Sequence, residues 1–197
     1  MKRTGLIFLL MGAALIFFGC EKMNPLPESG TDLETASFKG AKVEIPFTGI
    51  CAPTLTPPEP PSVPVVKILP NGKTKVSDES AWWYDQASTP LLTGYTKWMI
   101  NRIIDVDGVQ KIWGKTDIVL DDDLGKWILS WHGYLYPTLD ENGDPIGLNG
   151  YCEGVAVGKE GAVKGMTAKM LYTLDFLYAD ATTLFYATEG VINPHGK

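Results

Sequence analysis

From residue 91 onward, apolar and polar positions alternate with a period of two, interrupted by short clusters of Gly, Asp and Asn. A period of two is the signature of a half-buried strand. It predicts strands at 93–104, 110–120, 126–136, 148–158, 162–174 and 183–192. Their joints carry turn chemistry: Asp107-Gly108, the run 121–125, Asn142-Gly143-Asp144-Pro145, the run 158–161, and a longer connection around Tyr178-Ala179-Asp180. Upstream, 41–45 and 47–51 read as one strand in which Pro46 marks an edge or a bulge. Residues 65–69 read as another, ending at the Asn71-Gly72 hairpin signal. Around 77–87 the expectation is a short helical turn, and no segment keeps a helical period over twelve residues. About eight strands with short connections predict an all-β domain, a single antiparallel β-barrel; the alternative is a two-sheet β-sandwich.

Sorting each strand by face sharpens this picture. In 126–136 the core face carries Trp127, Leu129, Trp131, Gly133 and Leu135, opposite Ile128, Ser130, His132, Tyr134 and Tyr136. In 162–174, Met166, Ala168, Met170, Tyr172 and Leu174 share a face. The strand between them places Gly150, Cys152, Gly154, Ala156 and Gly158 on one side. Glycine weakens a strand interior unless something large must approach its backbone. That group is either the neighbours' own Trp127, Trp131 and Met170, in the small-against-large scheme of filled barrels, or a ligand. Trp131, Ala156 and Met170 are therefore candidate lining residues, joined by Arg102 and its strand neighbours Trp98, Ile100 and Ile104.

The run from Glu153 through Gly154, Gly158 and Gly161 to Gly165-Met166, followed by Glu189-Gly190-Val191-Ile192-Asn193-Pro194, is similar to late hairpins of the allene oxide cyclase-like barrels. That group includes bacterial families of unknown function. The resemblance covers 114–194 and implies an eight-stranded calycin-type barrel with a small apolar ligand. No catalytic residue of the family falls on a position of this chain, so no cyclase site is carried over.

The N-terminus has a different pattern. Met1-Lys2-Arg3 is basic, and 6–18 is an unbroken run of apolar and small residues. This run is shorter than the roughly 20 residues a membrane-spanning helix needs, and it fits a secretory signal. Phe17-Phe18-Gly19-Cys20 resembles the lipobox of bacterial lipoproteins, with Phe17 and Phe18 departing from the usual Leu and small residue. The resemblance implies lipidation of Cys20, palmitate included, and membrane attachment through the lipid. Glu21, where an aspartate would retain such a protein at the inner membrane, implies the outer membrane, on its periplasmic or its exposed side. Residues 21–37 are rich in Pro, Glu, Ser, Gly, Thr and Asp and read as a tether with a reach of about 20–25 Å. The expected organisation is signal 1–19, lipidated N-terminus and tether 20–37, and barrel 38–194. Pro53, Pro57, Pro58, Pro60, Pro61 and Pro64 then form a stiff surface crossing.

Composition supports a turn-rich globular body: of 197 residues, 21 are Gly and 14 Pro, and 45% are hydrophobic. A formal charge of −6, with Arg102 the sole arginine after Arg3, argues against nucleic acid as a partner. Cys51 and Cys152 remain after lipidation, either as two buried thiols or as a disulfide; the latter would close a loop of about 100 residues and contribute about 4–5 kcal/mol. His132 and His195 are the only histidines, and no metal, cofactor, nucleophile-elbow or phosphate-loop motif occurs. The acidic runs 121–123 and 140–144 lack the spacing of a calcium loop and read as hairpin tips. Trp82-Trp83-Tyr84 cannot all point into one core. They are either a plug over one barrel end or a stacking platform for a sugar or apolar ligand. The leading functional expectation is a non-catalytic, lipid-anchored envelope barrel, without cofactor, binding a small apolar or carbohydrate ligand or a protein partner. Its candidate contacts are Trp82, Trp83, Trp98, Arg102, Trp131, Ala156 and Met170. A cofactor-free isomerase or cyclase and a purely structural envelope component are the alternatives.

Overall fold

The computed structural model describes residues 43–54 and 56–194, all within one compact unit, Lys42–Lys197. The signal, Cys20, the tether and His195 lie outside the described residues. Nine strands follow one another: β1 (Ile45–Pro53), β2 (Val65–Ile68), β3 (Thr74–Ala87), β4 (Gly94–Ile104), β5 (Gln110–Leu120), β6 (Gly125–Leu139), β7 (Pro145–Gly161), β8 (Thr167–Leu177) and β9 (Tyr186–Asn193). Every pairing is antiparallel, in the order β1-β9-β8-β7-β6-β5-β4-β3-β2, and β1 also pairs with β3. That last pairing closes eight strands into a barrel and leaves β2 outside the ring.

The expected helical turn at 77–87 is a strand, part of β3. A bulge between Val76 and Glu79, with Asp78 at φ 61°, shifts the alternation midway. This break in period, together with four charged or hydroxyl residues in a row, Ser77 to Ser80, hides the strand from a periodicity count. Beyond the bulge, Glu79, Ala81, Trp83 and Asp85 face inward, while Trp82 and Tyr84 face out. The strand expected at 162–174 also starts later, because 163–166 form a turn that buries Val163 completely. Pro46 sits where β1 is paired on one side only, since β3 meets β1 from Gly49 onward.

The strands are strongly staggered. Stepping across the ring from Asp85 through Cys51, Tyr186, Leu174, Gly150, Leu135, Gln110 and Ile104 returns to β3 at Thr74, eleven residues before the start. A large stagger means steeply tilted strands and a wide interior. Side chains fill it by alternation across neighbouring strands: Phe47, Gly190, Met170, Gly154, Trp131, Gly114 and Ile100 are successive register partners. A Cβ on Gly190 would come within 2.8 Å of the Phe47 ring, and one on Gly114 within 2.9 Å of Trp131 and 1.9 Å of the Met99 carbonyl oxygen. On β7, a Cβ at Gly154 would meet the Leu129 and Trp131 side chains at 2.8 and 2.9 Å, whereas at Gly150 and Gly158 neighbouring backbone comes closest.

The two ends differ. At the near end, where β1 begins, Leu92, Ile118, Trp127, Val163 and Ile192 are fully buried and seal the barrel. The Trp127 indole donates to the Leu91 carbonyl at 2.8 Å, which ties a short 3-10 turn (Pro90–Leu92) over this end. At the far end, inward-facing Glu79, Trp83, Ile100, Arg102, Gln110 and Tyr186 are only half-buried.

Replacing Gly114 by Ala should destabilise the barrel by about 1–3 kcal/mol or more, because a neighbouring carbonyl blocks the added methyl. Gly143, in a hairpin at φ 82° with nothing within 4 Å, should lose only about 1–2 kcal/mol when changed to Ala. Urea unfolding of the two variants checks the contrast.

Candidate functional site

The far end brings together one cation, one anion and one amide at adjacent register positions. Arg102 on β4 donates through Nη2 to Glu79 on β3 and through Nη1 to Gln110 on β5 at 3.1 Å. The Arg102 and Glu79 side chains are 21% and 26% exposed. Arg102 Nε is buried and has no hydrogen-bond partner. The pair is therefore accessible from solvent yet half-desolvated, the setting in which a charge-assisted hydrogen bond counts.

Aromatic rings form the floor. Tyr186 lies 5.3 Å from Trp83 and stacks on Trp98 at 6.1 Å with an interplanar angle of 16°. Trp98 in turn meets Trp131 at 5.0 Å and Tyr172 at 5.1 Å, both edge to face. Burial is the main influence on the Tyr186 hydroxyl and holds its pKa well above the usual tyrosine value, so it remains a donor. The Nε1 atoms of Trp98 and Trp131 are buried without partners.

Of the seven residues expected to line a site, Trp83, Trp98, Trp131 and Arg102 converge on this region. Ala156 and Met170 lie deeper: Ala156 is packed between Leu129 and Ala168, and Met170 belongs to the glycine-alternating row. Trp82 is on the outer wall, its ring 5.4 Å from Lys97 Nζ, and Lys97 pairs with Glu59 of the proline crossing. The three adjacent aromatics are thus split by strand alternation. Trp82 and Tyr84 neither plug the barrel nor join its interior.

Glu79, Gln110 and Tyr186 were missed. Gln110 and Tyr186 stand at strand starts, where alternation has only begun, and Glu79 follows the bulge that disguises β3. Deeper in the barrel, Asp85 is 4% exposed; its Oδ2 accepts from Thr96 Oγ1 at 2.8 Å, and its Oδ1 has no partner. Cys51, Cys152 and Tyr172 surround it, and burial raises the pKa of each, that of Cys152 to about 12.

Cys51 and Cys152 are both free and buried. A disulfide between them is not formed, and β9 and β8 stand between β1 and β7. Three inter-strand steps of about 4.8 Å exceed the Cα separation a disulfide bridges.

The other chemistry-bearing residues are dispersed. His132 is exposed on the outer wall, 3.6 Å from Glu153, beside a groove of about 630 Å³ floored by Gly154, Met170 and Gly190. Asp140 accepts backbone N–H groups of Asn142 at 2.9 Å and Asp144 at 2.8 Å, which holds its pKa below the usual carboxylate value. Its oxygens are thereby committed to the hairpin turn. Among the described residues no group of three or more His, Cys, Asp or Glu side chains could hold a metal ion. No family model, curated protein or solved structure matches this chain.

Unfolded, unreduced Cys20→Ala protein should titrate with two free thiols; none would show a bond formed in solution. A double-mutant cycle on Arg102→Met and Glu79→Gln should give a coupling of about 1 kcal/mol, measured by urea unfolding.

Proposed function

We propose that this protein is a lipid-anchored, envelope-facing barrel that binds a small neutral carbohydrate at its far end and performs no catalysis. The arrangement at Arg102 carries the reading. Planar groups with several donors and acceptors, here Arg102, Glu79 and Gln110, suit the paired hydroxyls of a sugar, and the half-buried Trp83 and Tyr186 offer ring faces beside them. Because Glu79 already neutralises Arg102, the site does not call for an anion. The filled midsection, where Trp98, Trp131, Tyr172 and Tyr186 touch, supports a shallow end-on site over a deep apolar pocket. Anchoring at Cys20 follows from the lipobox resemblance. The tether would then lead to β1, which starts at the sealed near end, so the binding end lies at the opposite pole of the barrel from the point of attachment.

Tryptophan fluorescence and calorimetric titration with neutral mono- and disaccharides test the binding site. A saturable response is expected, weakened about tenfold or more in Arg102→Gln and Trp83→Ala and unchanged in Trp82→Ala. No response to any sugar, or a response lost only in Trp82→Ala, overturns it. Radiolabelled palmitate incorporation and intact mass test the anchor, and an unmodified N-terminus defeats it.

A further inference from the structure

The pairing of β1 with β3 is the closing seam of the ring and its shortest pairing, residues 49–53 against 83–87. Its central pair is Cys51 and Asp85, and both side chains are buried inside the barrel. A carboxyl in that position accepts from the Thr96 hydroxyl; the Cys51 thiol and the Tyr172 phenol, also close by, offset part of the cost of burial, and its Oδ1 has no hydrogen bond of ordinary geometry. The groups that face it are neutral on every packed element: the Cys51 thiol on β1, the Thr96 hydroxyl on β4, the Cys152 thiol on β7 and the Tyr172 phenol on β8. No cation is among them, and Arg102, the nearest inward-facing one along β4, is held by Glu79. A buried carboxylate without a counter-charge is costly, whereas the neutral acid is tolerated.

We infer that Asp85 is a proton switch on the closing seam: neutral, it lets β1 and β3 pair tightly; ionised, it loosens them and with them the site at the far end. The link to the site is geometric. Trp83 lies in the seam opposite Pro53, and Tyr186 is the β9 register partner of Cys51. Loosening the seam therefore moves two of the rings on which the proposed ligand rests. This second step rests on the carbohydrate reading; the switch itself does not.

The sign follows from burial, the largest influence on the group, which pushes the Asp85 pKa from an ordinary 3.8 up to about 6. The folded chain then holds its proton where the unfolded chain has released it. Stability from this group is complete below about pH 4 and is lost as pH rises through about 6. Ligand release would accompany the same rise.

The tests use the full-length protein. The Asp85 side-chain carboxyl is followed by 13C NMR, and amide exchange at 49–53 and 83–87 is corrected for intrinsic rates. The carboxyl should titrate with a midpoint near 6. Protection of the seam amides should fall by up to about a hundredfold between pH 4 and pH 8, and Asp85→Asn should abolish that fall. A midpoint near 4, or a fall that persists in Asp85→Asn, overturns the switch. If Asp85→Asn fails to fold, the carboxyl titration in the unaltered chain decides alone. Both measurements are made without ligand, so they stand apart from whether sugars bind; sugar affinity that is flat from pH 5 to pH 8 while the seam loosens would overturn the coupling.

Discussion

The fold depends on one steric constraint: strands about 4.8 Å apart cannot all carry large inward side chains, yet a wide, strongly tilted ring must be filled. The protein meets it by pairing large residues with small ones on the next strand, and along one row with glycine each time. Phe47, Met170 and Trp131 alternate with Gly190, Gly154 and Gly114 along one oblique row. At these glycines the neighbouring carbonyl comes so near that no Cβ fits, so the same residues that make room for the rings also let the wall bend. Closure, curvature and core packing are one problem with one solution.

From that packing follows the inequality of the two ends. The near end is completed by connections that fold inward, placing Leu92 and Val163 over Trp127 and Ile118. The far end has hairpins that continue the wall and leave its inward positions half-exposed. Polar residues are tolerated there because water reaches them, and Arg102 bonds both Glu79 and Gln110, leaving its Nε without a partner. Asp85 lies below this zone, where water does not reach. Its unpaired oxygen is one of the departures here from the rule that buried polar groups are bonded, and departures of that kind concentrate at functional or strained sites.

The outer wall carries its own chemistry, separate from the interior. The proline crossing after β1 is fastened to it by Lys97 with Glu59 and by the Ser62 amide donating to Ser80 Oγ at 2.9 Å. This crossing interrupts what would otherwise be one long strand: β1 and β2 both pair with the same edge of β3, one after the other. The excursion is what leaves β2 outside the ring and confines the closing seam to five residues of β1.

Alternation in 126–136, 148–158 and 162–174 was enough to assign the strand faces, because each residue's side is fixed by backbone geometry alone. Turn chemistry placed the hairpins at Asn71-Gly72 and Asn142-Gly143 for the same local reason. β3 escaped that reading because a bulge breaks its period, and with it went the inward placement of Glu79, Trp83 and Asp85. Which residues meet is a different matter. That Arg102 reaches both Glu79 and Gln110, that Trp98 stacks on Tyr186 from a distant strand, and that Cys51 faces Asp85 depend on the stagger of the closed ring. Stagger is summed over eight pairings and written in no single segment. Local pattern therefore determined the strands and their faces, while ring closure alone decided which faces share a site.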